Sequence, residues 1–222
     1  MSFLQEKLKS SPIYARVAPF AIFLGLTFFQ SVPGSHGEFW IYLVKTLAGA
    51  WLVWEMRPFV LEMRWAWSWE ALAVGVAVAV MWVGLDNFYP KLSKPGTPWD
   101  PHAAFGHNSG LAWLFVMVRL VGSSLVVPPL EEVFYRSFLY RYFVKLDFQA
   151  MPFRQFHALS FVVTAFIFGF SHYEWLAGIL CGMAYQWLVL RKDRLGDAMT
   201  AHAITNFLLG IWIIWRGAWN FW

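Results

Sequence analysis

The chain has 222 residues, of which 59% are apolar, 20% aromatic and 14% charged, with a formal net charge of +4. An ordinary soluble domain carries about 25% charged residues, and so short a chain has too little interior to hide this much apolar surface from water. Disorder and a water-soluble globule are therefore excluded as working assumptions, and a single integral-membrane domain over residues 1–222 is expected. The basic residues sit in small clusters between apolar runs and form no stripe, so nucleic acid is not an expected partner. Cys181 is the one cysteine. That excludes an internal disulfide or a CxxC metal knuckle, and its apolar setting predicts a small packing residue.

The first apolar run covers 17–32, preceded by Lys7, Lys9 and Arg16. With the small residues Ser31, Gly34 and Ser35 behind it, the layout resembles a secretory signal. The apolar runs that follow favour an uncleaved first span. Those runs are 39–54, 69–85, 111–127, 157–171, 175–190 and 198–215. Each is about 15 to 20 residues, near the ~20 that cross ~30 Å of hydrocarbon. The segment 111–145 would span about 52 Å as a helix and is read as one crossing, bent at Pro128-Pro129, where backbone hydrogen bonds are lost. The expected fold is an all-α polytopic transmembrane bundle of about seven to eight helices, with its site in an intramembrane cavity.

The distribution of basic residues sets a topology. With a cytoplasmic N-terminus, the inner side holds eleven cations: Lys7, Lys9, Arg16, Arg57, Arg64, Arg141, Lys145, Arg154, Arg191, Lys192 and Arg194. The outer side holds three, Lys91, Lys94 and Arg216. Trp65, Trp67, Trp69 and Trp215, Trp219, Trp222 cluster at run ends, as an interfacial belt would. The Pro- and Gly-rich segment 86–110 is expected to cap the outer face.

A charged side chain inside hydrocarbon costs about 2.5 to 3.5 kcal/mol on insertion scales, so ionisable residues in these runs mark candidate function. Glu132 and Arg136 are four apart with the acid first, the favoured order for a helical ion pair. Glu131 projects about 100° away around the helix. A carboxylate in an apolar cavity without such a partner suits a general base. His172 ends the fifth run, where an interfacial role competes with a catalytic one. His202 and Asn206 share one helix face and offer either interhelical polar glue or paired donors for an oxyanion. Glu131, His172 and His202 could equally bind zinc, although the HExxH spacing is absent. Of the remaining polar residues, Lys45 is expected to snorkel and Arg119 to pair within the bundle. His36, His102 and His107 are expected to be solvated in outer loops, and His157 interfacial. Asp197 is expected to cap the last helix.

The order EExxxR, FxxxH and HxxxN on successive apolar segments resembles the CAAX protease and bacteriocin-processing family of intramembrane proteases. Here the motifs are Glu131-Glu132…Arg136, Phe168…His172 and His202…Asn206, within a core of about 119–207. Residues 119–124, 175–178 and 201–206 further resemble a bacterial CAAX-protease-related subgroup found beside exosortase-type sorting systems. The resemblance implies that Glu131 and His172 activate a water, that His202 and Asn206 hold the oxyanion, and that Glu132 and Arg136 organise the site. It implies an endopeptidase in a bacterial inner membrane, acting on a membrane-anchored protein or lipidated peptide. Descriptions of the family as metalloprotease and as metal-independent glutamate protease both exist. Asn206 is a poor zinc ligand and a good amide donor, so no cofactor is expected. A zinc-dependent version and a non-proteolytic scaffold, immunity factor or transporter remain the alternatives. One tension stands: the simple topology puts His172 and His202 about 10 to 15 Å apart in depth.

Overall fold

The computed structural model describes residues 3–31, 36–92 and 98–222; Val32, Gly34, Ser35 and Lys94 lie outside the described residues. Among those described there are nine helices and no strands. They are α1 (Phe3–Ser10), α2 (Pro12–Thr27), α3 (Gly37–Met56), α4 (Trp69–Leu85) and α5 (Pro101–Phe105). Then follow α6 (Gly110–Tyr142), α7 (Ala158–Phe170), α8 (Trp175–Lys192) and α9 (Gly196–Arg216). The seven long helices coincide with the seven apolar runs. Among the described residues three helices are long and apolar enough to cross a membrane, namely α4 with its 3₁₀ extension, α6 and α9. The fold is the expected polytopic helical bundle.

Local chemistry sets the helix ends. Ser11 precedes Pro12 and its hydroxyl accepts from the N–H groups of Ile13 and Tyr14, so α2 starts there. Ser68 caps α4 through the Ala71 N–H, and the His157 ring caps α7 through that of Ser160. Gly217 closes α9 at φ 62°, a left-handed turn that glycine adopts without strain.

Small residues then bring backbones together where the site forms. A Cβ on Gly169 would lie 2.6 Å from the Ile179 backbone nitrogen, and one on Gly178 would lie 2.9 Å from the Gly169 Cα. Helices α7 and α8 therefore touch backbone to backbone. On the far side, a Cβ on Gly75 would lie 2.8 Å from the Ala201 carbonyl oxygen, which seats α9 on α4 one residue from His202. Helix α2 joins the same core through Phe20, whose ring stacks on Phe134 at 4.4 Å. The outer perimeter carries exposed Phe28, Trp54, Trp69 and Val80, the surface a lipid solvent would cover.

At the end of the bundle formed by the 57–68 segment, Glu62 ties three elements together. It accepts from Arg16 at 2.7 Å and from the Ser137 hydroxyl, with Arg141 at 3.6 Å. Burial pushes its carboxyl up, but the Arg16 charge and the Ser137 hydrogen bond prevail and hold it below the usual carboxylate range.

Several expectations need correction. Lys45 does not snorkel; its Nζ donates to Thr27 Oγ1 at 2.7 Å and lies 4.5 Å over the Phe23 ring, because the α2–α3 contact supplies both partners. His102 is buried, against Trp113 and Trp219. Asp197 is completely buried within the first turn of α9 and does not cap it; it accepts from Ser68 Oγ at 2.5 Å and Arg194 Nε at 2.6 Å. Arg119 forms no ion pair among the described residues and lies instead against Tyr42, Trp99 and Trp222. Cys181 is buried, as expected.

Candidate active site

Helix α6 carries the carboxylates, and its backbone is not uniformly α-helical. Residues Gly122–Val126 and Val133–Leu139 are π-helical, and Glu131 and Glu132 lie between them. The cause of the first stretch is the proline pair. Pro128 and Pro129 have no N–H, so the preceding turn cannot close with ordinary i→i−4 bonds; it widens instead, a device frequent at functional sites. The crossing thus passes the prolines as one 33-residue helix.

This widening leaves one carbonyl over. The Val127 N–H bonds to Gly122 O, and Pro128 has none to offer. Ser123 O is filled from another helix, by Asn206 Nδ2 at 2.8 Å. A carbonyl only accepts, so this contact fixes which end of the Asn206 amide is nitrogen. One N–H of Asn206 is spent and the second is left for other use.

Glu132 and Arg136 make the expected pair, at 3.3 Å and fully buried. Arg136 also donates to Gly182 O at 3.3 Å and lies 4.4 Å over the Phe168 ring. The same Glu132 oxygen receives a second partner, His202 Nδ1, at 2.9 Å. A carboxylate accepts, so His202 Nδ1 carries a hydrogen. Its other nitrogen, Nε2, stands 4.0 Å from Glu131 Oε2. Tyr185 stacks on the His202 ring at 5.1 Å, and its hydroxyl donates to Thr205 Oγ1 at 2.7 Å. Thr205 in turn donates to Gly75 O at 2.9 Å, so the imidazole is held in plane and in place.

Glu131 is treated differently. It lines the cavity and receives no hydrogen bond from a described residue; its Oε2, like that of Glu132, is buried without one. His172 shares the cavity with it. His172 Nδ1 lies 2.7 Å from Phe168 O, which again only accepts, so Nδ1 carries a hydrogen and, in the neutral ring, Nε2 is the nitrogen with the lone pair. The expected mismatch in depth between His172 and His202 disappears. Helix α7 has 13 residues, about 20 Å at ~1.5 Å per residue, too short to cross ~30 Å of hydrocarbon. Its end therefore stops inside the bundle, pulled onto α8 by the Gly169–Gly178 contact.

These side chains line one cavity of about 210 Å³, together with Trp82, Phe168 and Asn206. All seven motif residues thus meet at one place: Glu131, Phe168, His172, His202 and Asn206 line the cavity, and Glu132 and Arg136 stand behind it. Sequence reading missed Tyr185, Ser123 and Trp82. A tyrosine inside the apolar run 175–190 was the available signal for Tyr185; a backbone carbonyl such as that of Ser123 leaves none. Among the described residues, no group of three or more His, Cys, Asp or Glu side chains is arranged to hold a metal ion. Just beyond α7, Glu174 is buried, and burial pushes its carboxyl up.

Residues 111–208 match a family model described as "Rce1-like: Type II CAAX prenyl endopeptidase Rce1-like". That segment includes both carboxylates, Arg136, both histidines and Asn206. The match is consistent with a protease of the CAAX protease and bacteriocin-processing family. No curated protein and no solved structure matches the chain.

Proposed function

We propose that this chain, similar over 111–208 to the type II CAAX prenyl endopeptidases, is an intramembrane endopeptidase that uses Glu131 as its base. The observation that carries this reading is the asymmetry of the paired carboxylates. Glu132 lies behind the cavity with its Oε1 held by both Arg136 and His202, whereas Glu131 lies on the cavity wall, receives no hydrogen bond from a described residue and has His202 Nε2 only at 4.0 Å; the Oε2 of each is without a hydrogen bond.

The chemistry follows from the donor inventory. Glu131 takes a proton from a water that His172 Nε2 helps to orient, and the water oxygen attacks the scissile carbonyl. Negative charge develops on the carbonyl oxygen. His202, protonated on both nitrogens, donates to it through Nε2–H while Nδ1–H stays on Glu132. The second N–H of Asn206 supplies the other donor. Collapse breaks the C–N bond, and Glu131 returns its proton to the departing amine. With His202 protonated, two carboxylates face two cations, so the buried cluster is neutral overall. The mechanism uses no metal.

The substrate class we favour is a membrane-anchored protein, cut close to the bilayer, with a C-terminal sorting signal or a lipidated tail. The eleven-to-three distribution of basic residues supports an inner-membrane protein with a cytoplasmic N-terminus. The test is cleavage of candidate peptides by the purified protein in lipid nanodiscs, wild type beside Glu131→Gln. Cleavage by wild type alone is expected; equal cleavage by both proteins would remove Glu131 from the mechanism.

A further inference from the structure

The catalytic cavity does not end at the motif residues. Four side chains of α6 spaced four apart, Arg119, Ser123, Val127 and Glu131, all line it. Arg119 therefore stands up to about 18 Å along the helix from the base, at ~1.5 Å per residue. Its guanidinium lies 4.7 Å from the Tyr42 ring, 4.5 Å from Trp99 and 5.6 Å from Trp222. Among the described residues it forms no ion pair. The contrast with the buried arginines is informative, since Arg16, Arg136 and Arg141 each have a carboxylate.

A guanidinium at membrane depth is costly to keep, and aromatic faces offset only part of that cost. Rings cover its planar faces and leave the in-plane N–H donors without a charged acceptor. Those donors form a rigid fork whose best match is a carboxylate bound through two parallel hydrogen bonds. We propose that Arg119 is a specificity-determining residue that binds a carboxylate of the peptide substrate at the far end of the catalytic cavity. The span between Arg119 and Glu131 sets the register. At about 3.3 Å per extended residue, 18 Å corresponds to about five residues between the cut bond and the carboxylate. The inference rests on the proteolytic reading for its register, but not for the binding event itself.

Binding is therefore the measurement. The Glu131→Gln protein in phosphatidylcholine nanodiscs is titrated calorimetrically with an acetylated apolar hexapeptide as the free acid, as its C-terminal amide, and as the amide carrying one internal Glu. The free acid is expected to bind about tenfold more tightly than the plain amide, the scale of one charge-assisted contact. Recovery of affinity by the internal Glu would assign the carboxylate to a side chain; no recovery would assign it to the chain terminus. Arg119→Gln should bring acid and amide to equal affinity, and Arg119→Lys should keep part of the difference. Equal binding of acid and amide by the Arg119-containing protein overturns the proposal, as does no binding of the acid, or an acid preference that survives Arg119→Gln. If Arg119→Gln does not fold, the comparison of acid with amide still decides. A peptide that binds in this way but is never cut by wild type would count against the proteolytic reading alone.

Discussion

His202 joins the two neighbouring carboxylates of α6: its Nδ1 lies 2.9 Å from Glu132 Oε1, and its Nε2 lies 4.0 Å from Glu131 Oε2. One contact is a short hydrogen bond that fixes the ring, while the other is too long to be one. The imidazole thus has one anchored nitrogen and one available nitrogen. In the proposed mechanism this difference gives the two adjacent acids different duties.

Glu131→Gln should abolish cleavage while leaving folding intact, because the Glu131 Oε2 makes no hydrogen bond that the amide would lose. Loss of a general base is worth about 10² to 10⁴ in rate. Turnover and the thermal melt of the purified variant check both halves together, and near-normal turnover would refute the role.

Arg136→Ala should act on folding and not on chemistry. It removes the guanidinium from the fully buried Glu132 and leaves His202 as its one remaining partner, and breaking a buried pair typically costs about 3 to 5 kcal/mol. A reduced yield of monodisperse protein on size exclusion is the expected outcome. A variant that folds with wild-type yield and melting temperature would contradict it.

Stability should fall in acid through Glu62. A carboxyl held below its ordinary value contributes stability above the unfolded-state value, and loses that contribution as pH falls through the folded one. Its direction is set by Arg16 and Ser137 against the effect of burial. Melting temperatures of wild type and Glu62→Gln should differ most near neutrality and converge in acid below the ordinary carboxylate range. A gap between the two that is constant with pH would show that charge on Glu62 is not the cause.

Arg191 is exposed at the end of α8, an end that the proposed topology assigns to the cytoplasmic side. Since Cys181 is buried, Arg191→Cys provides one reactive thiol. A membrane-impermeant maleimide should label it in inverted vesicles and not in intact cells; the reverse pattern would invert the topology.

Activity should survive strong chelation, and active protein should contain no stoichiometric zinc. Asn206→Ala should then lower turnover by about 10² to 10³, as removal of one oxyanion donor does. Elemental analysis beside a chelator titration is the check. One zinc per chain, with activity lost on removal and restored on re-addition, would replace the proposed mechanism by a metal-dependent one with Glu131, His172 and His202 as ligands.

The amino-acid sequence by itself determined the apolar character of the spans, the helices and the short list of candidate groups. Those properties are local: an apolar run and a cap specify a helix without reference to the rest of the chain, and an ionisable residue in such a run is conspicuous because burying it is costly. The i,i+4 pairing of Glu132 with Arg136 was legible for the same reason. The tertiary structure alone decided what those groups do to one another. That Glu132 serves His202 depends on a contact across 70 residues. That Asn206 is oriented by Ser123 depends on a carbonyl released by a π turn and on a partner 83 residues away. Lys45, His102 and Asp197 were misread because each meets its partners across helices, at Thr27, Trp219 and Ser68. Hydropathy records the cost of placing a polar group in the membrane, but the group that offsets this cost sits on another helix, and only packing brings the two together.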